Sequence, residues 1–262
     1  MGTAWKKVQK HKQAKRQLSE LMSKADQVIV IHYSCESFYD RPDGSSPRIT
    51  SIAVRNLDSG QTKSFSIHQI AEIQRYSASD LDRHYNQLEK EMLDEFYNYV
   101  DRHSSHTWLH WKMRDINYGF PAIAHRHKVL DGQPKFIHEN QLVDLPRLLL
   151  AIYGKNYIDA PQLYKLVELN SISHQDFLQG GEEAEAFDNK EYVKLHQSTL
   201  RKVDVIAKIV ERADEGSLKT KSSWRDIYGN YLVAFIELIQ EHPVISGIIT
   251  IVGFLGAIIS FF

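Results

Sequence analysis

The last twenty residues, 243–262, read PVISGIITIVGFLGAIISFF and contain no charged side chain. No other feature constrains the chain as strongly. A helix rising about 1.5 Å per residue covers roughly 30 Å over that length, which is the thickness of a bilayer's hydrocarbon. Twelve of these residues are Val, Ile, Leu or Phe, and near a helix centre such residues together favour insertion by very roughly 4 to 7 kcal/mol. Pro243 suits a first helical position, where its missing N–H needs no partner. A buried core helix would be shorter and would show a polar face, which this segment lacks. The expectation is one C-terminal transmembrane helix with the rest of the chain on one side of a membrane. Gly253 and Ala257 form a small-xxx-small pair through which copies could pack, so the tail is also the expected route to a homo-oligomer.

Composition sets the frame for the remainder. With 25% charged residues and a net charge of −1, the chain is neither a disordered polyelectrolyte nor a nucleic-acid coat protein. The single cysteine, Cys35, excludes an intrachain disulfide and fits a reducing compartment. Residues 1–25 carry seven Lys or Arg and one acid before position 25, without the apolar core of a signal peptide. Gly2 is followed by Lys6 rather than the Ser or Thr of a myristoylation motif. This segment reads as a short basic helix with Trp5, Val8, Leu18 and Leu21 as its apolar residues, either solvated or touching anionic lipid or nucleic acid. Lys219, Lys221 and Arg225 upstream of the tail agree with a cytoplasmic soluble part.

Between these ends the pattern is α/β. Residues 28–31 are a buried-strand run leading into His32, Tyr33, Ser34, Cys35 and Glu36, and a loop-rich stretch follows at 40–47. Ile49, Ile52 and Val54 mark a second strand, Asp58-Ser59-Gly60 a turn, and residues 62–67 a third strand. Ser79 suits the cap of a helix whose Leu81, Tyr85, Leu88, Met92, Phe96 and Tyr99 recur at three- and four-residue spacing. Residues 107–111 read as a fourth strand. Helices are predicted at 121–130, 142–153, 161–169 and 190–213, then a hinge at 215–223 containing Gly216, then an amphipathic helix at 224–240. The domain reading is a basic helix at 1–25, a main domain at 26–213, a linker and helix at 214–242, and the tail at 243–262.

The chain has no phosphate-binding Gly-rich loop, Cys-x-x-Cys, His-Glu-x-x-His or Gly-x-Ser-x-Gly. His125 and His127 stand two apart on a helix and face different ways. Residues 180–185 are an acidic helix start of the kind the helix dipole favours. Three carboxylates stand where apolar residues would be expected: Glu36 at the end of the first strand, Asp115 after the fourth, and Asp204 on the stripe of the last long helix. A buried charge must be paired or bind a metal, so their convergence would make a divalent-cation site. Separate ion pairs are the alternative for each, with Arg114 beside Asp115 and Lys202 beside Asp204.

The segments VIVIHYSCESF, ITSIAVRNLDSGQTKSFSI and TWLHWKMRD, in this order of elements, resemble the RNase H-like fold of the DEDD-type 3′-5′ exonucleases over roughly residues 26–213. The resemblance implies an RNase H-like mixed sheet with flanking helices, and a site in which Glu36, Asp115 and Asp204 are catalytic and bind Mg²⁺ or Mn²⁺. It also implies single-stranded nucleic acid or a nucleotide as ligand. Three positions depart from the family: Ser34 stands for the first-motif Asp, Lys112 for the Asn after the fourth strand, and Thr199 and Leu200 where a His or Tyr precedes the last Asp. Losing a carboxylate weakens a site that grips two cations. Three functions therefore remain open: a membrane-anchored metal-dependent nuclease acting on cytoplasmic nucleic acid, a catalytically inactive RNase H-like binding or sensing module that acts through its membrane tail, and a membrane-tethered scaffold of another α/β fold.

Overall fold

The computed structural model describes residues 3–36, 46–77, 80–115 and 117–241. The 243–262 segment, Ser79 and most of the 40–47 loop lie outside the described residues. Among those described, no helix is long and apolar enough to cross a membrane. The described chain falls into two compact units, one of residues 18–148 and 159–219, the other of residues 3–17, 149–158 and 220–241.

The larger unit is a mixed α/β structure built on a five-stranded sheet. Strand β1 (Val28–Cys35) is its centre, as its β-branched run predicts. It pairs antiparallel with β2 (Ile49–Asn56), which pairs antiparallel with β3 (Thr62–Ser66), completing the expected meander. The β2–β3 turn is held by the Asn56 carboxamide, which accepts from the Ser59 amide at 2.9 Å. Gly60 follows at φ +70°, a conformation open to glycine at little cost. On its other side β1 pairs parallel with β4 (Thr107–His110), and β4 pairs parallel with β5 (Leu142–Asp144). The strand order is β3-β2-β1-β4-β5.

β5 corrects the sequence reading, which made residues 142–153 one helix. Asp144 divides them: its backbone lies in register with His110 of β4, while its carboxylate accepts from the Arg147 amide. Helix α5 (Leu145–Tyr153) therefore starts one residue later. A three-residue strand is too short to show a period of two, so its pattern merged with that of the helix behind it.

The other helices are α1 (Thr3–Ser23), α2 (Ile67–Ile73), α3 (Tyr85–Arg102), α4 (Phe120–Val129), α6 (Gln162–Leu169), α7 (Gly180–Asp188), α8 (Tyr192–Asp214) and α9 (Trp224–Glu241). α2 was not foreseen; it continues directly from β3 with Ile67, Ile70 and Ala71 buried. α3 begins at Tyr85 and buries Tyr85, Leu88, Met92 and Phe96, so the predicted stripe is the core-facing one. α8 packs across β1 and β2, and α3 packs on β3 and β2. The core holds Ile29, Ile31 and Tyr33 of β1 together with Leu88, Met92, Phe96 and Trp108.

α3 also buries a charge that no sequence pattern announced. Glu89 is fully buried and receives both ends of the Arg126 guanidinium of α4, at 2.9 and 2.6 Å, plus the Ile49 amide of β2 at 2.6 Å. One carboxylate thus joins two helices to the sheet. The predicted hinge is likewise held: the Asn170 carboxamide accepts from the Lys219 amide and donates to its carbonyl.

In the smaller unit Ala4 and Val8 of α1 pack with Ala234 of α9. His11 lies edge-on to Tyr231, whose hydroxyl is 3.1 Å from its Nδ1. The Ser223 amide donates to Asp226 at 2.8 Å at the start of α9.

Glu89→Ala is expected to lower unfolding stability by about 3–5 kcal/mol, because it strands a buried guanidinium. The double change Glu89→Leu with Arg126→Met should recover most of that loss in urea titrations.

Candidate functional site

The carboxyl ends of β1, β4 and β5 lie at one edge of the sheet, and between β1 and β4 the strand order reverses, running to β2 and β3 on one side and to β5 on the other. Open α/β sheets present ligand sites at such a point. Successive side chains of a strand alternate between faces. His32 and Ser34 of β1 therefore share the face on which Thr199 of α8 bonds to Ser34, while His110 and Asp144, paired in register, share a face of their strands.

On the Ser34 side a polar chain is buried. The Ser34 hydroxyl donates to Glu183 Oε1 of α7 at 2.9 Å and lies 2.9 Å from Thr199 Oγ1, which is 2.8 Å from Ser51 Oγ of β2. Glu183 also accepts from Ser198 at 3.2 Å and is ion-paired with the Lys202 ammonium at 2.6 Å. Lys202 is buried and stands over the Phe177 ring. The cation that this carboxylate holds is thus the protein's own. His32, next to this chain, is kept neutral: burial, with Lys202 adding to it, pushes its pKa well down. Its Nδ1 has no hydrogen-bond partner among the described residues.

Around the ends of β4 and β5, His110 Nδ1 accepts from the Met113 amide at 3.1 Å, and its Nε2 is unpartnered among the described residues. Burial first, and then Arg114 and Arg147, push its pKa down to about 3. Asp144 is pushed up by burial, against the pull of Arg147, Arg114 and Lys112. Arg147 pairs with Asp144 at 3.4 Å and Arg114 with Glu139 at 3.4 Å, so two of these three basic side chains already face a carboxylate. Lys112 is exposed and sits at φ +56°.

The three predicted site carboxylates are each engaged apart. Glu36 meets Arg48 at 3.0 and 3.2 Å, and that guanidinium also covers the Tyr85 and Phe187 rings. Asp204 lies between Arg55 at 3.1 Å and Arg201 at 3.8 Å. Asp115 is exposed and accepts from the Asn117 amide at 2.8 Å. Neither sequence neighbour is the partner: Arg114 pairs with Glu139, and Lys202 with Glu183. Among the described residues no group of three or more His, Cys, Asp and Glu side chains is placed to hold a metal ion. Mg²⁺ and Mn²⁺ take several oxygen ligands; two of the three carboxylates, Glu36 and Asp204, face guanidinium groups, and Asp115 faces a backbone amide.

Sequence reasoning named Glu183 in an acidic helix start and Lys202 beside Asp204, but missed Ser198 and the pairing of Glu183 with Lys202. The available signal was Ser198, Thr199 and Lys202, polar residues on the buried stripe of α8. A surface depression lined by Lys63, Glu95, Asn98, Asp101 and Arg102 shares no residue with this edge. Comparison with protein-family models, with curated proteins and with solved structures finds no match.

The buried histidines make a pH signature. His196, beside His68, is pushed down to about 4 by burial and by that neighbour, and His110 lies lower still. Their folded pKa values are depressed below the unfolded value near 6.5, so the unfolded chain binds more protons as pH falls. The stability they contribute is complete above about pH 6.5 and is lost as pH drops toward 4. Urea midpoints measured from pH 7.5 to 4.5 should fall, and fall less steeply in His110→Gln.

Proposed function

We propose that the chain is a catalytically inactive RNase H-like module that binds an anionic ligand, a nucleotide or single-stranded nucleic acid, and acts at a membrane through residues 243–262. The strand order β3-β2-β1-β4-β5 supports the RNase H-like part: an antiparallel meander is followed by two parallel strands, and a long final helix crosses β1 and β2. The observation that carries the loss of activity is Ser34. Where the exonuclease pattern has its first Asp, a hydroxyl joins Thr199 and Glu183, and Glu183 is neutralised by the buried Lys202. Phosphoryl transfer by two cations needs carboxylates free to grip them, and Glu36 and Asp204 are already held by arginines. The ligand reading rests on Lys112, exposed beyond the end of β4, with Arg114 and Arg147 near it, although these two are ion-paired with Glu139 and Asp144. The bilayer reading rests on the uncharged run at 243–262.

The full chain in detergent, incubated with labelled single-stranded DNA or RNA and Mg²⁺ or Mn²⁺, is expected to give no cleavage above the background of Glu36→Gln. Fluorescence anisotropy should show salt-sensitive binding, weakened severalfold by Lys112→Ala with Arg147→Ala. Metal-dependent cleavage abolished by Glu36→Gln would restore the nuclease reading, and no binding to either nucleic acid or nucleotides would remove the ligand assignment.

A further inference from the structure

In the larger unit α2 brings a histidine against one from α8. The rings of His68 and His196 lie 4.9 Å apart, centre to centre, inclined at 52°. His196 is only 6% exposed, and its Nε2 has no hydrogen-bond partner among the described residues; neither has the Nδ1 of the partly buried His68. A buried polar nitrogen left without a partner costs stability. Two of them in neighbouring rings mark a place for a ligand that both rings can meet.

Other imidazoles are differently placed. His103 and His106 are also in ring contact, at 4.8 Å, but the His103 Nδ1 is spent on the Tyr99 carbonyl at 2.8 Å. His127 Nε2 meets Asp94, and His11 Nδ1 meets the Tyr231 hydroxyl. His68 and His196 come from two separate helices that touch within one unit. Two imidazoles bound to one ion at about 2.0–2.1 Å, with a near-tetrahedral angle between the bonds, have ring centres roughly 5 Å apart, and the observed separation matches. Burial pushes His196 down to about 4 and lowers His68 against the pull of Glu72. Neutral rings keep the lone pairs that a metal ion needs.

We infer that His68 and His196 form a two-histidine site for Zn²⁺ that clamps α2 to α8. Imidazole nitrogen selects Zn²⁺ and Cu²⁺ over Mg²⁺ and Mn²⁺, so this chemistry differs from that of a carboxylate site. Two histidines are fewer than the three protein ligands of a catalytic zinc centre, and water takes the remaining positions. Glu72, exposed and one turn along α2 from His68, offers a carboxylate on the same helix face. The partial exposure of His68 gives the ion its way in. An ion that binds only the folded chain stabilises it by mass action, and here that effect falls on the junction of α2 with α8. None of these residues belongs to the ligand or bilayer readings above.

The full chain in detergent, stripped with a chelator that is then removed, is titrated with ZnCl₂ against a chromogenic competitor. One equivalent is expected to bind, and both His68→Gln and His196→Gln should lower the affinity at least roughly tenfold, the size of effect that even outer partners of a metal ligand have. Circular dichroism of the metal-free variants checks their folding. Because His196 is buried, the unaltered chain is also loaded with Cu²⁺, which the same nitrogens bind more tightly, and read by electron paramagnetic resonance. Splitting from a pair of imidazole nitrogens is the expected signature; splitting from fewer overturns the site. Failure to bind one equivalent of Zn²⁺ overturns it too. So does binding that survives both substitutions, which assigns the ion to other histidines, or that is lost in His68→Gln alone, which makes it a surface ion on α2. Amide exchange in α2 and around His196 should slow when Zn²⁺ is added, and binding that leaves exchange unchanged overturns the clamp.

Discussion

Seven consecutive residues of β1, positions 28–34, are buried, so a polar group on that strand is met inside the protein or, like His32 Nδ1, is left without a partner among the described residues. An unmet buried hydroxyl or amide costs about 1–3 kcal/mol by mutational measures. The backbone is met on one side by β2 and on the other by β4. The Ser34 hydroxyl is met by Glu183 and Thr199. Tyr33 donates nothing to solvent either: its hydroxyl accepts from the Gly119 amide at 2.9 Å, and its ring stacks on Tyr118. The positions of α7, α8 and the segment before α4 thus follow from polar groups on one central strand.

That constraint also explains the character of the sheet edge. Glu183 brings a charge beside a buried strand, and Lys202 neutralises it from one turn along α8 past Ser198. Pairs of this kind give little net stability, because both ions lose water to form them. Removal of either partner would leave the other with the full desolvation cost. Glu89 and Arg126 follow the same logic between α3, α4 and β2. Two internal ion pairs, each tied to β1 or β2 through a serine or a backbone amide, hold the helices in register with the sheet.

The meander, β4, α3, α4, α6 and α8 were legible in the sequence because each combines a clear period with a length that displays it. β5 and α2 were not, since three residues show no alternation and seven show barely two turns. Ser198, Thr199 and Lys202 were visible as polar residues on the α8 stripe, but their partners were not. The three acids chosen for the site do stand near the ends of β1, β4 and within α8, yet each found a cation or an amide of its own.

What the sequence by itself determined is the local grammar: the apolar run of β1, the helical stripes, the basic composition of α1 and the uncharged stretch at 243–262. These depend on spacing along the chain, which a sequence displays directly. Only the tertiary structure decided which charges meet. Asp204 pairs with Arg55, and Ser34 with Glu183 149 residues away, because ion pairs and hydrogen bonds fall off within a few ångströms, and that proximity is set by how strands and helices stack, not by neighbourhood in the chain.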